Sequence, residues 1–265
     1  LLIGSEGTLG IITRLRVRLH PIPETVIAAA MPFPSVAAAA ESTIEALLLN
    51  LGMARIELLD ALQIRAVNRH AGLNLDETPS LFVEFHGTKA AAREAVELFE
   101  SVARGHGARA FAWGEDEETR RRLWRARHDA FWAVKAMWPG RMALVTDVAM
   151  PISALARCIA ETEGDLRRLG LEAPIVGHVG DGNFHVIPMI DPSDASEVTR
   201  VTAFIERLTD RALALDGTCT GEHGIGQGKA KALEKEMGLA VDVMRAIKGA
   251  LDPFGILNPG KIFTK

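Results

Sequence analysis

An α+β domain, built on an antiparallel or mixed sheet covered on one face by helices, is the fold this sequence predicts. Segments of strand period alternate with segments of helical period along nearly all of the 265 residues. Several connections between them are too short to hold a helical crossover, notably that between Val179 and Phe184, so neighbouring strands must run antiparallel in places. A composition of 48% hydrophobic and 24% charged residues is that of a globular chain with core enough for one large domain or two modest ones.

Taken in order, Ile11 to Leu19 sets Leu15, Val17 and Leu19 against Arg14, Arg16 and Arg18, the alternation of a half-buried strand. Pro21 and Pro23 then mark a boundary. A strand over Thr25 to Pro32 precedes a helix with Ser35 as N-cap and Gly52 as its stop. That helix places Val36, Ala40, Ile44, Leu47, Leu48 and Leu51 on one face. Ala54 to Leu59 reads as a strand, Ala61 to His70 as a helix, and Leu81 to His86 as a strand of clean alternation. Ala90 to Arg104 is helical, stopping at Gly105 and Gly107, and Ala108 to Trp113 is a strand. Glu115 to Met137 reads as one long helix and Met142 to Met150 as a strand. A helix from Pro151 to Leu169 leads into the segment holding His178 and His185. Asp194 to Leu215 is helical, as are Lys229 to Met237 and Leu239 to Leu251, before a tail that begins Asp252-Pro253-Phe254-Gly255.

Several function classes drop out. A formal charge of −4 without clustered Lys and Arg argues against nucleic acid as the main partner. The basic run Arg120 to Arg122, with Arg125 and Arg127, follows the acidic run Glu115 to Glu118 and reads as an ion-paired helix face. No apolar run reaches the roughly 18 residues of a membrane span. Cys158 and Cys219, 61 residues apart, form no CxxC pair, which argues against a disulfide scaffold or a cysteine zinc site and fits a reducing compartment. For Cys219, in a glycine-rich loop, a small buried side chain is the ordinary reading and a reactive thiol the alternative. The chain opens at Leu1 inside an apparent strand, as expected for the C-terminal part of a longer protein.

Chemistry gathers in two glycine-rich stretches. In Gly177-His178-Val179-Gly180-Asp181-Gly182-Asn183-Phe184-His185, two imidazoles flank residues that favour a tight turn. A hairpin with Val179 facing Phe184 would set His178 directly opposite His185, about 5 Å apart at Cβ. Gly217-Thr218-Cys219-Thr220-Gly221-Glu222-His223-Gly224-Ile225-Gly226 then offers Glu222 as a third ligand and His223 as a base. Two histidines and a glutamate bind a divalent cation and leave coordination positions open for chemistry. The histidine pair alone is equally consistent with structural or solvated imidazoles, and it matches no HExxH spacing. Gly224-Ile225-Gly226-Gln227-Gly228 follows a helix and lacks the spacing of a phosphate loop.

Four segments carry a family resemblance: Gly4-Ser5-Glu6-Gly7-Thr8-Leu9-Gly10-Ile11-Ile12-Thr13, His178 to His185, Gly217 to Gly226, and Asn258-Pro259-Gly260-Lys261. In that order they resemble the C-terminal region of FAD-linked oxidases of the vanillyl-alcohol oxidase superfamily. The nearest branch holds the cytochrome-linked D-lactate dehydrogenases and the glycolate oxidase flavin subunit. The resemblance implies that residues 1–20 end an FAD-binding domain, residues 21–251 form a ferredoxin-like substrate or cap domain with a metal site, and residues 252–265 return to the flavin. It further implies FAD and a divalent metal, zinc or manganese, as cofactors. His178, His185 and Glu222 match the metal ligands, His223 the base, and Arg127 the arginine that holds the substrate carboxylate. Ser5, Glu6, Gly7, Thr8, Gly10 and Asn258 match flavin contacts.

The implied activity is oxidation of a D-2-hydroxy acid, D-lactate first among them, to the 2-oxo acid. Phe131 and Ile187 stand where the 2-hydroxyglutarate branch has a hydroxyl and an amide, which disfavours a second substrate carboxylate. D-2-hydroxyglutarate or glycolate dehydrogenation is the alternative within the family. A metal-dependent hydrolase is the alternative outside it, with no use for the flavin-side motifs. The implied partners are the small acid and an electron acceptor such as cytochrome c or a quinone, and a homodimer is compatible. The implied place is cytoplasmic or membrane-associated, mitochondrial in a eukaryote. Without the missing flavin domain the chain by itself is expected to be inactive.

Overall fold

A computed structural model describes residues 1–263 of the chain. Nine strands and nine α-helices are described among them: β1 (Thr25–Pro32), α1 (Val36–Leu48), β2 (Met53–Leu59), α2 (Ala61–Ala71), β3 (Ser80–Gly87), α3 (Lys89–Gly105), β4 (Ala112–Gly114), α4 (Glu117–His128), α5 (Ala130–Met137), β5 (Met142–Ala143), β6 (Val148–Ala149), α6 (Ile152–Leu169), β7 (Ile175–Gly177), β8 (Asn183–Val186), β9 (Met189–Ile190), α7 (Ala195–Ala214), α8 (Ala230–Met237) and α9 (Ala240–Leu251). Seven strands form one sheet in the order β4-β1-β3-β2-β7-β8-β6, and β5 pairs with β9 apart from it. Every described pairing is antiparallel, so the α+β expectation stands.

Helices cover both faces of the sheet rather than one. Ile27, Leu81, Val83 and Phe85 pack with α1, α3 and α6 on one face. Ala28, Leu59 and Phe82 pack with α2, α4 and α5 on the other. The apparent alternation of β3 concealed this, because its polar member, Glu84, is itself buried and bonded to His86 Nε2 at 2.7 Å. A charge inside a strand that is covered on both faces must find a partner within the protein.

Side-chain caps start the helices where the sequence places them. Ser35, Asp60, Thr88, Asp116 and Asp194 each accept a backbone N–H from the first turn of α1, α2, α3, α4 and α7. The buried stripe of α1 is Val36, Ala39, Ala40, Thr43 and Ala46, a quarter-turn from the expected one, and Leu48 stands exposed. Small residues on that stripe let α1 approach α6 and α3 closely.

Four other expectations are corrected. Ile11 to Leu19 forms no strand, and Leu15, Val17 and Leu19 are exposed; the alternation is real, but no sheet edge in the described residues receives it. Strand β4 is shorter than Ala108 to Trp113. The helix expected from Glu115 to Met137 breaks at Asp129, where φ is −86° and ψ 0°. The break turns α5 so that it packs on α2, where Gln63 Nε2 donates to the Ala130 carbonyl at 2.9 Å. The strand expected from Met142 to Met150 divides into β5 and β6, and Thr146 and Asp147 turn inward between them.

Among the described residues no helix is long and apolar enough to cross a membrane. Both cysteines are buried, and burial pushes the Cys219 thiol up to about 12, so the ordinary reading of a small buried residue holds over a reactive thiolate. Burial likewise pushes the Asp60 carboxyl up to about 7 against its N-cap hydrogen bonds, although part of the residue still meets solvent. A raised carboxyl pKa means that the folded state holds the proton more tightly than the unfolded chain. The Asp60 contribution to stability is therefore fully present at acid pH and is lost as pH rises from about 4 to about 7. Urea unfolding at pH 5 and pH 8 checks this: Asp60→Asn, which keeps a capping oxygen, should narrow the difference in midpoint between the two pH values. An unchanged difference would remove Asp60 as its source.

Candidate active site

On the sheet face covered by α2, α4 and α5, the ends of β2, β7 and β8 leave an edge that the helices do not close. Glu57 of β2 points to this edge and is only 7% exposed. Its carboxylate accepts from Arg127 Nε of α4 at 2.8 Å and contacts His178 Nδ1 at 2.7 Å. One buried carboxylate thus fixes both the guanidinium and the imidazole, and Arg127 Nη2 also lies 3.2 Å from His178 Nε2.

The register of the β7–β8 hairpin differs from the expected one. Val176, not His178, lies opposite His185. The connection is a 3₁₀ turn over Val179–Asp181, closed by Gly182 at φ 72°. His178 therefore sits beyond the ladder and approaches His185 diagonally, with ring centroids 6.0 Å apart and planes at 89°. The two imidazoles still meet, by turn geometry rather than by cross-strand pairing.

Glu222 and His223 reach the same place because Asp147 gathers their loop. The Asp147 side chain is fully buried. It accepts backbone N–H groups from Gly221 at 2.9 Å, Glu222 at 3.2 Å and His223 at 3.0 Å, with the Thr220 hydroxyl at 2.9 Å, Asn183 Nδ2 at 2.9 Å and Lys229 Nζ at 3.0 Å. Burial alone would push this carboxyl up; the His223 N–H and the Lys229 ammonium outweigh burial and hold it well below the usual carboxylate range. Gly221 is required at the centre of this cradle, since a Cβ there would fall 1.9 Å from Asn183 Nδ2.

His178, His185 and Glu222 each turn one ligand atom to a common point, all within 4.8 Å of one another. His185 Nδ1 lies 2.9 Å from the Thr146 carbonyl, which can only accept. Its proton is therefore on Nδ1, and Nε2 presents a lone pair to Glu222 Oε1 at 3.1 Å. Burial lowers the pKa of His185 and favours this neutral form. His178 Nε2 also lies 3.1 Å from Glu222 Oε1, while the hydrogen bond to Glu57, opposed by burial, raises its pKa. Lone pairs on His185 and Glu222 cannot sit this close without a proton or a cation between them. Two ligand atoms each about 2.1 Å from one ion lie roughly 3–3.5 Å from each other, which is the spacing found. Each histidine also has an acceptor on Nδ1 that fixes its ring, as metal-bound imidazoles do.

His223 stacks on His185, ring centroids 4.7 Å apart and 8° from parallel, and its Nε2 lies 3.8 Å from Glu222 Oε1. A cleft of about 360 Å³ opens beside these groups, lined by the polar residues Arg127, His185, Glu222 and His223 and by the apolar residues Ala130, Phe131, Val145 and Ile187. The structure thus brings together His178, His185, Glu222, His223 and Arg127, and adds Phe131 and Ile187 to the wall.

The expected flavin contacts lie apart from this cleft. Gly4 and Gly7 adopt positive φ, and a Cβ at Gly4 or Gly10 would meet nothing within 4 Å, so the backbone there is open to a ligand. The Ser5 hydroxyl donates to the Leu2 carbonyl, the Thr8 hydroxyl to the Ser5 carbonyl, and Asn258 Nδ2 to the Glu6 carbonyl. Two site residues escaped the sequence reading, Glu57 and Asp147. Each is a lone acid within a segment read as an apolar strand, and that was the available signal.

The fold is an antiparallel α+β domain that gathers His178, His185, Glu222, His223 and Arg127 at one sheet edge. The chain belongs to the family of FAD linked oxidases, C-terminal domain, which matches residues 22–262. It is 52% identical over 263 residues to a protein of Danio rerio named probable D-lactate dehydrogenase, mitochondrial, covering 99% of this chain and 53% of that one. It is 43% identical to the D-lactate dehydrogenase [cytochrome], mitochondrial, of Arabidopsis thaliana, covering 99% of this chain and 46% of that protein. Glycolate oxidase subunit GlcD of Bacillus subtilis is 31% identical, covering 100% and 57%. The chain spans about half the length of the curated relatives it matches. Among solved structures, 4-ethylphenol oxidase from Gulosibacter chungangensis shares the fold, with a TM-score of 0.67 at 18% identity, covering 92% of this chain and 55% of that one.

Proposed function

We propose that the full-length protein oxidises a D-2-hydroxy acid, with D-lactate as the preferred substrate, to the 2-oxo acid, using FAD and a divalent cation. The observation that carries the reading is the meeting of two imidazole nitrogens and one carboxylate oxygen beside Arg127 and His223, in a cleft lined by both polar and apolar residues. The relatives named D-lactate dehydrogenase supply the substrate class, and the family supplies the flavin.

When bound, the flavin accepts two electrons and the C2 hydrogen, and the cation supplies Lewis acidity toward the substrate hydroxyl oxygen. His178, His185 and Glu222 hold that cation, and zinc and manganese both suit two imidazoles and a carboxylate. Arg127, oriented by Glu57, pairs with the substrate carboxylate. His223 Nε2 takes the hydroxyl proton as C2 is oxidised. Phe131 and Ile187 shed water from the substrate methyl and offer no partner to a second carboxylate. Residues 1–20 and 252–263 face the flavin. The electron acceptor is a cytochrome and the location in a eukaryote is mitochondrial, by analogy with the names of the relatives.

Anaerobic mixing of the flavin-loaded full-length protein with a substrate panel tests this. D-lactate should bleach the flavin absorbance fastest, glycolate more slowly for want of a methyl group on the apolar wall, and D-2-hydroxyglutarate slowest. Equal or faster bleaching by D-2-hydroxyglutarate would overturn the substrate assignment, and no bleaching by any 2-hydroxy acid would overturn the reaction.

A further inference from the structure

We infer that Glu6 is a positioning residue: its carboxylate sets the loop that carries Glu222 and His223, and so couples the flavin-side segment to the catalytic groups. The inference rests on the reaction just proposed only for its kinetic consequence. Its structural content stands on the geometry of the loop.

Two carboxylates, one on each side, take nearly all the backbone N–H groups of Gly221 to Gly226. Asp147 accepts those of Gly221, Glu222 and His223. Glu6 accepts the other pair, Ile225 N at 2.6 Å and Gly226 N at 2.9 Å to one oxygen and 3.2 Å to the other. Successive backbone N–H groups converging on one anion form a nest, and the anion here is a side chain from 219 residues earlier in the sequence. The loop is shaped to receive it. Gly224 has φ +82°, and a Cβ there would lie 2.7 Å from Glu6 Oε1.

The Glu6 side of the contact is also specialised. Glu6 holds φ 51°, a conformation uncommon for any residue but glycine, asparagine or aspartate and held only where surroundings impose it. Asn258 Nδ2 donates to its carbonyl. Two residues on, the Thr8 carbonyl accepts from Lys248 Nζ at 2.7 Å, and the same ammonium holds the Leu257 carbonyl at 2.9 Å. Segment 4–8 is therefore pinned to α9 and the tail, with the Glu6 carboxylate reaching across to the catalytic loop. Glu6 is among the residues expected near the flavin, and its carboxylate oxygens accept from Ile225 and Gly226. Whatever seats the segment thereby also seats His223, three residues from Gly226.

The test uses the full-length flavoprotein and Glu6→Gln, which keeps the size but sets an NH2 group against the nest. Backbone exchange at Ile225 and Gly226 should quicken by about tenfold or more on loss of a charge-assisted hydrogen bond, while β1 and β3 exchange as in the parent. Flavin content should be unchanged. The rate of flavin reduction by D-lactate should fall about tenfold or more from a displaced base, with the concentration for half-maximal reduction changed little. Glu6→Asp, which keeps the charge on a shorter arm, should fall between the two and serves if Glu6→Gln does not fold. Unchanged exchange at Ile225 and Gly226 overturns the inference. So does loss of flavin in proportion to loss of rate, which would make Glu6 a flavin contact. Failure of D-lactate to reduce the parent would defeat the proposed reaction and leave the exchange result to decide the role of Glu6.

Discussion

Replacing His223 by Ala in the full-length protein removes reduction of the flavin by D-lactate, by about 10² to 10⁴-fold, the range for loss of a general base. Flavin binding survives. The expectation follows from placement. His223 and Arg127 both line the cleft, and of the two groups that could hold an ion, His223 belongs to the one with Asp147 and His185 and not to the one with His178 and Glu222. It stacks flat on His185, and His178, His185 and Glu222 keep their other partners when it is removed. Stopped-flow reduction, flavin absorbance and bound metal, measured on the same preparation, separate the cases. Retained turnover sinks His223 as the base, and lost metal makes it a structural support.

Asp147→Asn should cost more than any surface change, about 3–5 kcal/mol, the range for breaking a buried ion pair by removing one partner. The substitution is isosteric, so the loss is of charge and of acceptors rather than of volume. Lys229 would be left beside a neutral amide, and whichever way that amide turns, its NH2 group faces a donor, either Asn183 Nδ2 or the backbone N–H groups of Gly221 and His223. The sign with pH is fixed by the lowered pKa of Asp147. Its contribution is fully present above the ordinary carboxylate range and is lost only as pH falls through the lower folded value. Urea unfolding at neutral pH therefore shows the full deficit, and the variant should also lose bound metal as Glu222 drifts. Parent-like stability would show that the loop is held by other contacts.

The sequence alone pointed to the residues of the candidate site but not to the scaffold that orients them. His178, His185 and Glu222 stood out because imidazoles and a carboxylate lie among glycines, and the structure brings their ligand atoms together. The hairpin register was misread, since a tight turn at Gly180 to Asn183 and the observed 3₁₀ turn use the same residues. Period alone cannot choose between them. Glu57 and Asp147 were hidden by the strand patterns around them, as their partners come from 70 and 76 residues away. Coverage of both sheet faces was hidden for a related reason, because buried Glu84 imitates a solvent-facing position in β3. Ile11 to Leu19 shows the converse, a strand pattern for which the described residues provide no neighbour.

Metal dependence of flavin reduction tests the central claim most directly. The full-length protein, stripped with a chelator and reconstituted with increasing zinc or manganese, is mixed anaerobically with D-lactate. The fraction of flavin reduced rapidly should rise in step with bound metal and reach its limit at one ion per chain, while Glu222→Ala binds none and stays slow. Full-rate reduction by metal-free protein would contradict the account.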